Sequence, residues 1–143
     1  MATVELRFSP LPEHVRTARL VAAAMARRAG VDEAVLDEVR LAVGEACSRA
    51  VGLHQAGGIT APVLVALIEE EKQFSIEVGD EAPHATIAAP GVAGTGEEPD
   101  PEGEDEMGLA VISGLVDDVE VTADADGGLI RMSWPTLPAT LLP

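Results

Sequence analysis

The sequence is poor in the residues that bind nucleic acids and anionic surfaces. Aromatic residues make up 2% of the 143 residues, and tyrosine is absent. So few rings cannot easily form a platform on which single-stranded bases stack. The chain has 9 basic and 25 acidic residues, for a net charge of −16, so it lacks the positive footprint that a phosphate backbone or an anionic membrane needs. We therefore expect neither nucleic acid nor membrane as a partner, and the charge favours either a basic partner or solubility alone.

Cysteine and long apolar runs are also scarce. Cys47 is the only cysteine, which excludes an internal disulfide and fits a reducing compartment. It lies near Ala46 and Ala50 on a predicted helix, where a small buried residue is a better interpretation than a nucleophile. The longest apolar stretch, 62–68, is too short to cross a bilayer, and the N-terminus has no signal-peptide pattern. These features predict a cytoplasmic protein with one domain over 1–143, whose core must be aliphatic.

Hydrophobic periodicity predicts an α+β fold. The expected order is strand, helix, helix, hairpin, loop, helix, hairpin, which lacks the strict alternation of a doubly wound parallel sheet. It predicts a two-layer sandwich in which helices cover one face of a mainly antiparallel sheet. The predicted elements are strand 4–8, helix 12–30, helix 32–54, strands 63–68 and 74–78, helix 108–116, and strands 119–121 and 130–134. Segment 81–106 is rich in proline and acidic residues, and predicts a mobile loop.

Segment 32–54, which reads DEAVLDEVRLAVGEACSRAVGLH, carries the most information. Asp32 is a good N-cap for the amphipathic helix that follows. Glu45 and Arg49 lie one helical turn apart, and two interpretations of this pair remain open. It is either an exposed salt bridge worth about 0.2–0.5 kcal/mol, or a catalytic carboxylate with its neighbour.

Three stretches resemble the anti-sigma factor / serine-threonine kinase family of the histidine-kinase-like ATPase superfamily. They are VRLAVGEACSRA at 39–50, a strand at 74–80 that ends in aspartate, and MGL at 107–109 followed by LVDDVEV at 115–121. The stretches occur in the family's order, and the resemblance extends over 4–134. It implies a histidine-kinase-like ATPase fold with a site for ATP and Mg²⁺.

The resemblance also implies roles for five residues. Glu45 matches the general base that activates water or a protein serine, and Asp80 matches the aspartate that reads the adenine amino group. Gly108 and Leu109 match the second glycine box of the cofactor site. Arg49 stands where the family has an asparagine that ligates Mg²⁺. A guanidinium has five donors and no acceptor, so it cannot ligate the metal, although it could contact a phosphate. For Asp80, a simple strand-end turn is an equally open interpretation.

Other departures from the family pattern argue against both ATP and Mg²⁺. Ala82 and His84 replace glycines that let backbone approach the nucleotide. Acidic residues at 104–106 replace phosphate-wrapping glycines, and carboxylates repel a triphosphate. We expect no metal site. His14, His54 and His84 are scattered, and we expect all three on the surface or in loops.

The resemblance implies a regulatory protein that binds a sigma factor and/or an anti-sigma factor antagonist by partner switching, and it allows a homodimer. In that role the chain need not be an enzyme, and ATP binding is weak or lost. The alternative is an active ATP-dependent serine/threonine kinase acting on the antagonist, which Glu45 and Asp80 favour and Arg49 opposes. An acidic α+β protein of unrelated function also remains open. Five arginines on the two early helices predict a positive surface, which could bind an acidic partner segment or form ion pairs with the chain's own carboxylates: Arg16, Arg19, Arg27, Arg28 and Arg40.

Overall fold

Five strands and three α-helices make up the described part of the chain, which in this computed structural model comprises residues 2–82 and 102–136. In chain order they are β1 (Ala2–Phe8), α1 (Glu13–Ala29), α2 (Leu36–Ala56), β2 (Val63–Glu69), β3 (Gln73–Asp80), α3 (Glu102–Leu115), β4 (Asp118–Asp124) and β5 (Gly127–Pro135). A short 3₁₀ turn, Glu33–Val35, precedes α2. None of the described helices is long and apolar enough to cross a membrane.

The five strands form one antiparallel sheet in the order β1-β2-β3-β5-β4. Leu67 of β2 pairs with Val4 of β1 on one side and with Ile76 of β3 on the other. Side chains alternate across a strand, so Leu67 and Ile76 share a face, and both are fully buried. The predicted α+β class, a mainly antiparallel sheet covered by helices, is confirmed.

Small residues let α1 and α2 pack closely over the sheet. Ala22 and Ala26 of α1 and Ala42 and Ala46 of α2 are fully buried. Aliphatic side chains of β2, β3 and β5 supply most of the remaining core, as the composition predicts, but Phe74 and Trp134 are also part of it. Trp134 is 3% exposed at the end of β5, and its indole Nε1 donates to Glu38 Oε2 of α2 at 2.9 Å. This single tryptophan therefore reports on the packing of α2 against the sheet.

The predicted helix ends are confirmed where capping chemistry defines them. Gly30 ends α1 in the left-handed region at φ 103°, and its N–H bonds the carbonyls of Ala26 and Arg27. Asp32 accepts a hydrogen bond from Ala34 N at 3.1 Å. The cap holds the 3₁₀ turn, so the regular helix α2 starts only at Leu36.

The predicted mobile loop 81–106 is wrong at its C-terminal end, because α3 already begins at Glu102. Glutamate is a good helix former, and negative charge is favourable in the first turn of a helix. Gly108 consequently lies inside α3, where the sequence suggested that it starts the helix. Residues 83–101 of the predicted loop lie outside the described residues.

Replacing Gly52 with alanine should stabilise the fold by about 0.5–1 kcal/mol, because glycine in a helix interior is costly. Nothing lies within 4 Å of a Cβ added at this exposed position in α2. Urea unfolding followed by Trp134 fluorescence checks the gain. Gly44→Ala is the matched control in the same helix, since its Cβ would lie 2.8 Å from Arg19 Cδ and should gain less. A loss of stability in Gly52→Ala would contradict the expectation.

Burial raises the pKa of the Cys47 thiol from 9.0 to about 12. The folded state thus favours the neutral thiol, and its contribution to stability should be complete below pH 9.0 and lost as pH rises toward about 12. Because the thiolate is the nucleophile, iodoacetamide should label native protein at neutral pH far more slowly than urea-unfolded protein. Equal labelling rates would show that Cys47 is accessible.

Candidate functional site

The end of β3 carries the first predicted site residue, Asp80. Its side chain is 2% exposed. Oδ1 accepts a hydrogen bond from Ala82 N at 2.9 Å, which is the contact of an aspartate that turns the chain at a strand end. This hydrogen bond agrees with the interpretation of Asp80 as a residue that turns the chain at a strand end. The turn holds the carboxylate facing α2.

Arg49 of α2 lies against this carboxylate. Its Nη1 is 3.9 Å from Asp80 Oδ2, and the Arg49 side chain is 6% exposed. The interpretation in which Glu45 and Arg49 form an exposed salt bridge is wrong, because the guanidinium is directed to β3. Two predicted site residues distant in sequence are therefore brought together as a buried ion pair. Removing one partner of such a pair is costly, since it leaves the other charge desolvated.

His54 connects three segments of the chain, one of which is the residue after Asp80. It is fully buried, its Nε2 accepts from Glu81 N at 2.9 Å, and its Nδ1 is 2.9 Å from Ala61 O. A backbone amide can only donate and a carbonyl can only accept, so the proton of the neutral imidazole is assigned to Nδ1. His54 thereby ties the end of α2 and the loop before β2 to the residue that follows Asp80.

The expectation that His54 lies on the surface is wrong. It lies two turns beyond Cys47, on the buried stripe of α2, and this periodicity was the available sequence signal. His14 is half-buried with its ring centroid 6.0 Å from that of Phe8. His84 lies outside the described residues. Among the side chains that the structure describes, no group of three or more His, Cys, Asp or Glu comes together to hold a metal ion.

The β4–β5 hairpin supports the backbone of Asp80 from the other side. Gly127 has φ 151°, and a Cβ added there would overlap the carbonyl oxygen of Asp80 and lie 3.2 Å from Glu81 Cα. Only a residue without a side chain permits this approach. A shallow cavity of about 350 Å³ opens here, with Asp80, Thr122 and Asp126 among its lining residues.

Glu45 faces a different space from the Arg49–Asp80 pair. It is half-buried and lines a groove of about 520 Å³, to which α1, α2 and α3 contribute. Ser48, one residue before Arg49, is exposed in the same groove. Leu109 is half-buried against the core, and Gly108 lies one residue before it in α3. The structure thus brings together Arg49 and Asp80 but places Glu45 in a separate groove.

The sequence matches the histidine kinase-like ATPase domain over residues 8–134. The chain belongs to this family. Among solved structures, the RsbU and RsbW domains of Rv1364c from Mycobacterium tuberculosis match with a TM-score of 0.66 at 16% identity, over 95% of this chain and 33% of that one. At this identity the match shows the shared fold, and the chain spans about a third of that neighbour. No curated protein sequence matches the chain. In this histidine kinase-like ATPase domain, the Arg49–Asp80 pair joins two of the positions that the resemblance assigns to the cofactor.

Proposed function

We propose that this histidine kinase-like ATPase domain is an anti-sigma-type regulatory protein with weak or lost ATP binding. It binds a sigma factor and/or an anti-sigma factor antagonist, and exchanges them by partner switching. The observation that carries the proposal is the contact between Arg49 and Asp80, 3.9 Å apart with both side chains buried.

Arg49 does not suit a metal ion. At this position the family resemblance implies an asparagine, whose carbonyl oxygen is a ligand that Mg²⁺ accepts. A guanidinium offers only N–H donors, and its permanent charge repels a cation. The side chains present therefore do not fit Mg²⁺, and we derive no catalytic step through the metal.

Asp80 is poorly available to a nucleotide. To read adenine, a carboxylate oxygen must accept from the exocyclic amino group. Oδ1 already accepts from Ala82 N, and Oδ2 lies beside the Arg49 guanidinium. Each oxygen has a second lone pair, but the Asp80 side chain is 2% exposed, so an adenine amino group would have to open the packing around it to reach that lone pair.

A protein-binding role does not need the phosphate-handling residues that this sequence lacks. Interfaces depend on a few packed anchors and on excluded water, not on glycine loops. The structural neighbour, whose domains are named RsbU and RsbW, is consistent with a regulator but establishes only the fold. The sigma factor and the antagonist are thus the partners that the resemblance suggests.

A transcription assay tests the proposal. Core RNA polymerase is loaded in turn with each sigma factor encoded in the source genome, and the purified chain is added with or without Mg²⁺-ATP. We expect inhibition of one sigma factor to equal extents under both conditions, with relief by the cognate antagonist. If neither a sigma factor nor an antagonist binds, or if inhibition requires ATP, the proposal is wrong.

An active serine/threonine kinase is the second candidate, and the position of Glu45 favours it. Glu45 lines an open groove, so its carboxylate could approach the hydroxyl of a protein substrate. Transfer of the γ-phosphate of labelled ATP to an antagonist tests this function, with Glu45→Ala as the control. Transfer that disappears in Glu45→Ala would establish the kinase in place of the ATP-independent regulator.

A further inference from the structure

Three of the four arginines of α1, namely Arg16, Arg19 and Arg28, form no ion pair with the side chains that the structure describes, and the first two share a groove. Five of the basic side chains there form ion pairs with carboxylates: Arg7, Arg27, Arg40, Arg49 and Arg131. Arg16 and Arg19 form none with the side chains that the structure describes, those of 3–82, 109–123 and 125–136, although both are exposed and acidic residues far outnumber basic ones. They lie about one turn apart on the same groove. These two arginines outnumber Glu45, the one acidic residue among the lining residues, so the groove carries an excess of positive charge on an otherwise strongly negative molecule.

The same groove has an apolar wall. Leu41 of α2 is 57% exposed and Val111 of α3 is 43% exposed, and both line it together with Val15 and Leu115. Large aliphatic side chains from neighbouring helices, rimmed by charges, are typical of a surface that a partner covers. The volume of about 520 Å³ is large enough to accept apolar side chains from such a partner.

We propose that the α1–α2–α3 groove docks an acidic amphipathic segment of a partner protein. One aliphatic face of the segment packs against Leu41 and Val111, while carboxylates on its flank bind Arg16 and Arg19. Guanidinium groups bind carboxylates through paired N–H donors, so these arginines suit the side chains of an acidic segment. The proposal rests on the proposed function, because it names the contact surface and the partner chemistry of that regulator.

Charge complementarity favours an acidic segment over a basic one at this position. A basic segment would find many carboxylates elsewhere on a chain with 25 acidic residues, but in the groove it would meet two arginines against the single carboxylate of Glu45. An acidic segment is repelled by most of the surface, so the groove is the place that accepts it. The long-range field thus discriminates against other docking sites.

A display library of random peptides, selected against the full chain, tests the proposal. We expect enriched peptides to combine Asp or Glu with Leu, Ile, Val or Met. A synthetic peptide from this set should lose affinity by about tenfold or more on the Arg16→Glu/Arg19→Glu variant, since each change replaces an attraction by a repulsion. Leu41→Ala should weaken the same peptide without altering any charge.

Arg28→Glu is the matched control, because Arg28 is an exposed arginine of the same helix that does not line the groove. It should leave peptide affinity within about twofold of wild type. That result would show that the affinity lost in Arg16→Glu/Arg19→Glu comes from the groove and not from the change in net charge. Unchanged Trp134 fluorescence verifies folding of each variant. Enrichment of basic or uncharged peptides, no enrichment at all, or an equal loss in Arg28→Glu would overturn the proposal.

The outcomes separate this inference from the proposed function. If a sigma factor or antagonist binds with an affinity that Arg16→Glu/Arg19→Glu leaves unchanged, the proposed regulatory function is supported and the assignment of the groove as its docking site is wrong. If acidic peptides bind at the groove while no sigma factor or antagonist binds the chain, the docking surface is supported and the proposed function is wrong.

Discussion

Replacing Asp80 with alanine is expected to lower the free energy of unfolding by about 3–5 kcal/mol. The change removes the carboxylate that lies 3.9 Å from Arg49 Nη1 and leaves a guanidinium that is 6% exposed without it. It also deprives Ala82 N of its hydrogen-bond acceptor. Urea unfolding monitored by Trp134 fluorescence measures the loss.

Two companion variants separate the charge from the hydrogen bond. Asp80→Asn keeps an acceptor for Ala82 N but removes the charge, so it should be less destabilising than Asp80→Ala. Arg49→Met/Asp80→Ala removes both charges and should be more stable than Asp80→Ala alone, because it also removes the buried guanidinium that has lost the Asp80 carboxylate. A loss of only about 0.5 kcal/mol in Asp80→Ala, as for an exposed pair, would show that the ion pair is not buried in solution.

Gly127→Ala should destabilise the fold by about 2–4 kcal/mol, through backbone strain and a backbone clash together. Its φ of 151° is one that side chains disfavour, and the new Cβ would overlap the Asp80 carbonyl oxygen. This oxygen belongs to the main chain, so it cannot move away as a flexible side chain would. The expected loss is measured by the same urea unfolding.

Gly79→Ala is the matched control for Gly127→Ala. Gly79 lies next to Asp80 in β3, and an added Cβ would meet its nearest neighbour, Leu129 Cδ1, at an ordinary 3.6 Å. Its substitution should cost less than about 1 kcal/mol. If both alanine variants lose the same stability, the close approach of Gly127 to Asp80 is not the cause.

Most elements of the fold can be predicted from local patterns in the sequence. Alternation in β1 and β3, the cap at Asp32 and the glycine at the end of α1 predict elements whose bounds agree with the structure within a few residues. The start of α3 was missed because prolines and charge dominate the segment before it. In Glu102–Glu106 helix propensity and the favourable position of acidic residues in the first turn prevail.

The candidate site is less accessible to prediction, since its contacts join residues far apart in sequence. Spacing along α2 places Arg49 next to Glu45, but the packing of α2 on β3 directs its guanidinium to Asp80. The hydrogen bonds of His54 likewise depend on a loop and on a strand end. Periodicity could have indicated burial of His54, whereas its partners are set by the tertiary fold.

Isothermal titration of the purified chain with ATP, with and without Mg²⁺, tests the central claim most directly. With Arg49 held against Asp80, we expect no Mg²⁺-dependent heat at millimolar nucleotide. Tight binding that requires Mg²⁺ would contradict the account, because it would mean that the metal is held beside Arg49 and that Asp80 is free to read adenine.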